Sequence, residues 1–249
     1  MRFYYVVLFL LLLQNGVSFG QTETAEAIPR NPFPPIPEEL QYPLSLYKEA
    51  ILESQNLYNG RVYYIYDPRM EEHQFFTDRK WYRGSVLSEG QRYDSIPMMY
   101  DIVKDQLVVR HLNGDPMVVA SEKVKCFTNY GELFIWYEKG KGIEPTMVTG
   151  FYNLFYDGPT HLLIRRTKTR QEKIVDRKVI TVFPQKDFYY VRKGGQYYAV
   201  RSKKSFLSLF PDHKRALRRV LRKEDIMYRQ DRAYAIKRML TTYDELAKP

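Results

Sequence analysis

Cysteine is almost absent from this chain, since its 249 residues include only Cys126. One cysteine cannot form an intramolecular disulfide, so the class of small disulfide-stapled scaffolds is excluded and the fold must be stabilised by packing. Cys126 lies in the apolar stretch "VKCFT" with no neighbouring base to activate it. We therefore predict that its side chain is a small buried hydrophobic group and not a nucleophile.

Long apolar runs are absent after residue 20, and a membrane-spanning helix needs roughly 20 apolar residues. The apolar run at residues 3–13 is shorter than that, follows a single charge at Arg2, and precedes small residues up to Gly20. This order is typical of a secretory leader. We predict that residues 1–20 are a signal peptide and that no transmembrane span remains after cleavage. The mature protein is then periplasmic, envelope-associated or secreted.

Sequence signatures of catalysis and of cofactor binding are missing as well. The chain has no nucleophile elbow, phosphate-binding loop or dinucleotide fingerprint, and none of its histidines has metal-ligand spacing. The histidines are His73, His111, His161 and His213. We therefore assign no catalytic residue, no cofactor and no metal ligand, and the sequence identifies no reaction.

A hydrolase that needs only two carboxylates is a separate alternative, because glycosidases work with such a pair. Four acidic residues are candidates for this role, and most of them lie near predicted strand ends. They are Asp67, Asp94, Asp101 and Asp105. An acidic residue at a strand end usually faces solvent or caps a turn. Nothing in the sequence selects two of the four, so no catalytic pair is named.

Positive charge is concentrated at one end of the chain. The net charge is +10, but residues 201–238 contain 13 basic and 4 acidic side chains, whereas residues 21–200 contain 24 basic and 23 acidic ones. The basic residues assigned to a contact with an anionic surface are Lys214, Arg215, Arg218, Arg219 and Arg222. Export argues against nucleic acid, and the segment lacks interleaved aromatic residues for base stacking. We interpret this segment mainly as a solvated helix face that attracts anionic lipid headgroups weakly.

Composition divides the rest of the chain into three parts. Residues 21–43 contain six prolines and read as an extended linker, because proline fixes the backbone and cannot donate to a ladder. Residues 44–201 read as a β-meander body that opens with a short helix at 45–56. Residues 202–249 read as a basic helical element that packs on this body.

The body shows apolar runs separated by turn residues, which is the strongest short-range signal for hairpins. The glycine-containing turns fall at 89–90, 113–115, 129–131, 157–159 and 194–195. Their connections are too short for crossover helices, so we predict an antiparallel meander of ten to twelve strands in an α+β, β-dominated fold. A large curled sheet, a barrel and a sandwich all fit this pattern. A lined cavity would favour ligand binding, and a filled interior would favour a structural role.

Two amphipathic helices are predicted near the C-terminus. In the first, one stripe consists of Ala216, Leu217, Val220 and Leu221, and the five basic residues named above lie on the opposite face. The second has apolar residues at Ala233, Ile236, Met239, Leu240, Tyr243 and Leu246. We expect both stripes to be buried against the sheet, with His213 on the apolar side as a packing residue.

Aromatic residues are abundant, with 22 Tyr, 14 Phe and 2 Trp. Tyrosine is favoured in strands, but exposed aromatic rings also stack on sugars. Trp81 and Trp136 are therefore candidate ligand-stacking residues for a glycan- or lipid-binding module.

Several stretches together resemble uncharacterised, β-rich secreted proteins of Bacteroidota. These stretches are "LYNG", "HQFF", "GSVLSEGQRYDSIPMMYDIVKDQLVV" and "SFLSLFPDHKRALRRVLRKEDI". The resemblance implies an envelope or secreted location and brings no activity, catalytic residue or cofactor. Our leading hypothesis is an exported, non-enzymatic envelope protein with a structural or interaction role. A glycan- or lipid-binding module and a carboxylate-dependent hydrolase are the alternatives, and the oligomeric state is left open.

Overall fold

The computed structural model describes residues 37–38, 56–67, 71–140 and 147–248. The predicted signal peptide, nearly all of the predicted linker and the predicted helix before Asn56 lie outside these residues. They stay predictions.

The described part of the chain contains thirteen strands and three α-helices. The strands are β1 (Arg61–Val62), β2 (Tyr82–Ser88), β3 (Gln91–Asp101), β4 (Gln106–Arg110), β5 (Pro116–Val118), β6 (Val124–Asn129), β7 (Glu132–Tyr137), β8 (Gly150–Asp157), β9 (His161–Lys168), β10 (Gln171–Val175), β11 (Lys178–Val182), β12 (Gln185–Lys193) and β13 (Gln196–Val200). The helices are α1 (Lys203–Ser208), α2 (Lys214–Lys223) and α3 (Arg232–Leu246), with 3-10 turns at Asn56–Tyr58, Ser121–Lys123 and Pro211–His213.

Eleven of the strands form one antiparallel sheet in the order β1-β5-β4-β3-β2-β6-β7-β8-β9-β12-β13. The β-dominated α+β class and the antiparallel meander are thus confirmed. Of the three shapes considered, the structure has the single large sheet, which is not closed into a barrel. The eleven strands of this sheet agree with the ten to twelve expected, and β10 and β11 add a separate hairpin that the sequence pattern did not reveal.

Glycine turns account for several of the hairpins. Glu89–Gly90, Tyr130–Gly131 and Gly194–Gly195 each have positive φ at both residues, which is the two-residue turn whose twist matches that of paired strands. Gly84 has a different role, because a Cβ atom there would lie 2.0 Å from the carbonyl oxygen of Thr128. Only glycine allows β2 to approach β6 this closely.

The sheet is strongly curved. The backbone N–H of Lys168, at the end of β9, donates to the carbonyl oxygen of Ile102 beside β3, at 3.2 Å, although four strands separate β3 from β9 in the sheet order. Part of this curvature comes from a bulge between β2 and β3, where Ser95 has a positive φ.

Strands β1 to β8 form the first half of the sheet, here called the aromatic half. Its concave side is filled by Tyr100, Phe127, Phe134 and Phe151, and the rings of Phe127 and Phe134 stack with centroids 5.0 Å apart. Leu57, in the first 3-10 turn, is buried against the same cluster. The interior on this side is therefore a packed core.

Strands β9, β12 and β13 with the three helices form the second half, here called the helix-covered half. Sheet residues such as Leu162 and Val191 pack against Leu217, Leu221 and Ile236 of the helices. Of the two predicted stripes, Leu217, Leu221, Ala233, Ile236, Met239 and Leu240 are buried, Ala216, Val220 and Tyr243 are partly buried, and Leu246 is 50% exposed at the end of α3.

The structure also resolves the surroundings of three single residues, of which Cys126 and His213 were predicted to be packing residues. Cys126 is fully buried, as predicted for a small buried hydrophobic group, and burial raises the pKa of its thiol to about 12. Ser202 caps α1 by accepting a hydrogen bond from the backbone N–H of Ser205 at 3.1 Å. The ring of His213 packs edge-on against Tyr243, with centroids 5.4 Å apart.

Candidate functional site along the free edge of β12

Strand β12 is longer than the strand that should cover its outer side. It pairs with β9 from Gln185 to Arg192, but its pairing with β13 begins only at Tyr189, opposite Val200. Among the residues that the structure describes, Gln185–Phe188 therefore have a neighbouring strand on one side only. Alternate residues of such an edge direct backbone N–H and C=O groups away from the sheet, ready to pair with another chain.

A groove with a volume of about 480 Å³ lies at this free edge. Its lining residues are Lys186, Asp187, Phe188, Tyr189, Tyr190, Ala199, Val200, Arg201 and Arg232. Five of them are consecutive in β12, and consecutive strand residues point to opposite faces of a sheet. The groove therefore follows the backbone edge and does not lie on one face.

Cations and aromatic rings surround the groove. The ammonium of Lys186 lies 5.0 Å from the ring centroid of Phe188, and the guanidinium of Arg232 lies 5.3 Å from that of Tyr189. Arg201 is exposed at the end of β13. These three cations outnumber the single carboxylate in the lining, so the groove favours a ligand that carries negative charge.

That carboxylate, Asp187, is already paired with an arginine of the neighbouring strand β9. The Nη1 atom of Arg166 donates to its Oδ2 atom at 2.6 Å, and both side chains are mostly buried. Arg166 also donates to Asn153 at 3.3 Å and lies 3.6 Å from Glu132, so it links β7, β8, β9 and β12. We call Glu132, Asn153, Arg166 and Asp187 the Arg166 network.

The Arg166 network is enclosed by apolar groups. The rings of Phe76 and Phe155 each lie 5.8 Å from the guanidinium. Burial raises the pKa of Glu132 even though Arg166 acts in the opposite direction. Among the described residues, the Nε atom of Arg166 and the side-chain amide of neighbouring Asn129 are buried without a hydrogen-bonding partner. The hydrogen bonds between described residues therefore leave buried donors and acceptors unpaired at Arg166 and Asn129.

Asp101, a candidate from the sequence, has a structural role. Its buried carboxylate accepts hydrogen bonds from the hydroxyls of Tyr63 and Tyr66, at 2.7 and 3.0 Å, and from the backbone N–H groups of Val103 and Lys104, at 2.9 and 3.0 Å. Burial and the Asp101 charge raise the pKa of both tyrosines. Asp101 thereby fixes the β3–β4 turn.

Asp105, at the other end of that turn, connects it to β8 and β9. It accepts hydrogen bonds from Tyr100 at 2.5 Å, from Arg165 at 3.2 Å and from the backbone N–H of Phe151 at 3.3 Å. Burial raises its pKa. A Cβ atom at Gly150 would lie 2.0 Å from the Asp105 carboxylate, so this contact also requires glycine.

The remaining two acidic candidates are in ion pairs elsewhere. Asp67 accepts from Arg170 at 2.6 Å, and Asp94 accepts from Arg92 at 2.8 Å. The four carboxylates therefore hold four separate sets of partners, and the structure does not bring two of them together around a shared groove.

Trp81 and Trp136 belong to different clusters. Trp81 packs on the outer cluster around Phe75 and Met99, with the guanidinium of Arg110 6.0 Å from its ring. Trp136 packs on the aromatic core, 4.8 Å from the ring of Phe151. The two indoles thus do not form a common stacking surface.

The five basic residues that the sequence singled out lie along α2. Arg215, Arg218, Arg219 and Arg222 are exposed and Lys214 is partly exposed, while Leu217 and Leu221 on the opposite side are buried. None of the five forms an ion pair with another residue of the described ranges. Because the apolar side of α2 is occupied by the sheet and α3, this helix offers only charge to a partner.

The groove residues Lys186, Phe188, Arg201 and Arg232 were not identified from the sequence. One signal was present, since "DFYYVRK" before the Gly194–Gly195 turn is longer than "QYYAV" after it. Which strand lies at a sheet edge depends on strand order, which local patterns do not encode.

In the described ranges, no three histidine, cysteine or acidic side chains are grouped so that they hold a metal ion. Among the same residues, no helix combines the length and apolarity needed to cross a membrane. No protein-family model matches the chain, and neither does any curated protein or solved structure.

Proposed function

We propose that this protein is an exported, non-enzymatic interaction protein of the bacterial cell envelope, and that it binds an extended acidic segment of a partner protein along β12. The observation that carries this proposal is the unpaired edge at Gln185–Phe188, which lies inside a groove with three cations. Export follows from the predicted signal peptide, and the envelope location follows from the resemblance described above.

The chemistry is that of strand addition. Backbone hydrogen bonds to an exposed edge give affinity, and contacts to alternate side chains give specificity. Four free residues span roughly 13 Å, so about four residues of the partner would pair directly. Phe188, which is 38% exposed, offers a ring for an apolar side chain, and Arg201 and Arg232 favour aspartate or glutamate beside it.

Two features of the fold support a non-enzymatic role. The interior of the aromatic half is filled by side chains, which favours a structural or binding role over a substrate cavity. The buried carboxylates Asp101 and Asp105 are each held by several hydrogen bonds and positioned to fix a turn. Turnover in a broad hydrolase screen that disappears in Asp105→Asn, with the fold retained, would contradict this part of the proposal.

Binding of the acidic segment is tested with fluorescently labelled peptides selected from a display library. We expect acidic extended peptides to bind, and the double variant Arg201→Gln/Arg232→Gln to weaken them about tenfold. The matched control is Arg215→Gln/Arg218→Gln, which removes the same charge from α2 and should leave affinity nearly unchanged.

Peptides N-methylated at alternate positions separate strand pairing from simple charge attraction, because methylation removes backbone donors and leaves the charge intact. One of the two methylation registers should abolish binding and the other should not. Equal binding of both registers and the parent peptide, or an equal loss in the two double variants, would refute strand addition at β12.

A further inference from the structure

The hairpin β10–β11 projects from the sheet as an arm, defined here as residues 169–184. It continues the β9–β12 pair through a hydrogen bond from the backbone N–H of Thr169 to the carbonyl oxygen of Pro184 at 3.2 Å. Asp176 and Arg177, both with positive φ, form the two-residue turn at its tip. Residues 169–179 are all exposed, so no other described part of the protein covers the outer arm.

The base of the arm is fixed. Arg170 donates to Asp67 at 2.6 Å and to Glu172 at 2.9 Å, and Thr181 donates to Asp67 at 3.4 Å. The backbone N–H of Phe183 donates to Glu72 at 2.5 Å. The arm therefore leaves the body in a defined direction, although a two-stranded hairpin alone is marginally stable.

Apolar side chains are concentrated at the free tip. Ile174 is 79% exposed, Val179 is 62% exposed and Val175 is 46% exposed. Ile174 and Val179 are opposite each other in the ladder, whereas Val175 is opposite Lys178 and points to the other face. An exposed hairpin normally has an apolar face only where a core covers it. This tip is apolar on both faces.

We propose that the tip of the arm inserts into the interfacial layer of an anionic lipid bilayer. Lipid surrounds an inserted tip on all sides, which matches apolar residues on both faces, whereas a docked protein would cover one face. Lys173 and Lys178 flank the apolar residues, and Arg177 lies in the turn itself beside Asp176; these cations can reach the headgroup phosphates while their aliphatic stems stay near the apolar residues.

A second copy of the chain fits this surface less well. Three aliphatic side chains offer far less than the roughly 800 Å² per partner that stable interfaces bury. The depth of insertion is also limited, since both edges of a two-stranded ribbon carry unpaired backbone groups that cannot enter the hydrocarbon core. The arm therefore reaches the boundary between headgroups and acyl chains, as interfacial anchors do.

The experiment is cosedimentation of the purified protein with phosphatidylcholine vesicles, with and without phosphatidylglycerol. We expect binding that depends on phosphatidylglycerol and weakens at high ionic strength, and a loss of about tenfold in Ile174→Ser/Val179→Ser. The matched control Leu112→Ser/Met227→Ser removes apolar groups that are 53% and 57% exposed elsewhere, and should bind as the parent does. All variants share one N-terminus, so any binding by that segment is the same in each.

Two outcomes would overturn the proposal. One is equal vesicle binding by the parent and Ile174→Ser/Val179→Ser, with binding lost instead in Arg215→Gln/Arg218→Gln/Arg219→Gln/Arg222→Gln, which assigns the contact to α2. The other is the absence of vesicle binding together with a dimer, seen by sedimentation, that dissociates in Ile174→Ser/Val179→Ser. Circular dichroism of each variant checks that the fold is retained.

Discussion

The two halves of the sheet bury the same kind of surface by different means. The aromatic half curls around its own side chains, and the stacked and edge-on rings of Phe127, Phe134 and Phe151 fill its concave side. In the helix-covered half, strand residues such as Leu162, Tyr189 and Val191 pack instead in a cluster with residues of the helical segment, including Phe206 and Leu217. A strongly curved sheet can therefore cover its own apolar face, whereas the other half needs a second layer of helices.

This difference explains the charge of α2. A helix that covers a sheet must turn its polar side outward, and in α2 that side consists of arginine and lysine. The basic surface therefore does not by itself indicate a polyanion site. The Arg166 network lies where the two halves meet, since Glu132 belongs to β7 and Asp187 to β12.

The largest expected loss of stability comes from removing Arg166, the cation that joins the two halves. Arg166→Met leaves the partly buried Glu132 and Asp187 near each other without their cation, and removal of one member of a fully buried ion pair typically costs about 3–5 kcal/mol of unfolding free energy, so we expect a loss at or below the lower end of that range. Urea unfolding at neutral pH measures this loss. We expect a single transition in the parent, because the network joins both halves.

A second substitution sharpens the result. Arg166→Met/Glu132→Gln removes one of the two stranded carboxylates, so it should recover part of the loss. If the double variant were no more stable than Arg166→Met, repulsion between buried carboxylates would not be the cause.

Much of the aromatic half could be predicted from the sequence, because glycine turns and apolar runs define its hairpins locally. The arm was missed because its turn, Asp176–Arg177, contains no glycine and lies among charged residues. The position of Arg166, in contrast, has a partial signal in the sequence. In "HLLIRRTK", Arg166 has the same strand parity as Leu162 and Ile164, so its side chain leaves the strand on the same face as these two apolar residues.

The free edge of β12 could not be predicted from local sequence patterns. Strand order decides which backbone groups stay unpaired, and strand order depends on long-range pairing that hairpin patterns leave open. The candidate carboxylates were predicted as residues worth testing, but their hydrogen-bonding partners come from distant segments. Asp101, for example, is held by Tyr63 and Tyr66, which lie more than 30 positions earlier in the chain, between β1 and β2.

An intermediate effect tests how the helix-covered half holds α3. The Oδ2 atom of Asp244 accepts hydrogen bonds from the hydroxyls of Tyr156 and Thr160, both at 2.9 Å, and from the backbone N–H of Thr160 at 3.2 Å. Asp244→Ala leaves these buried donors unpaired, so we expect a loss of about 1–3 kcal/mol. Hydrogen exchange should show α3 opening before the aromatic half. Glu245→Ala, at the exposed neighbouring position, is the control and should change little.

The smallest effect is a pH dependence in the same half. His161 is 7% exposed, and burial lowers its pKa below 6.5, while Asp157, with an oxygen 3.4 Å from its Nε2 atom, and Asp244 act against this and Arg192 adds to it. The folded state then holds fewer protons than the unfolded state just below pH 6.5, so stability falls as pH falls through that range and is complete above it.

His161→Gln should therefore show a flatter decline in unfolding free energy between about pH 7 and 5 than the parent does. The decline should not vanish, because burial also lowers the pKa of His73. Above about pH 7 the two proteins should differ by a constant amount, which serves as the internal control. If both curves ran parallel over the whole range, His161 would titrate alike in the folded and unfolded states, and burial beneath the end of α3 would not set its charge.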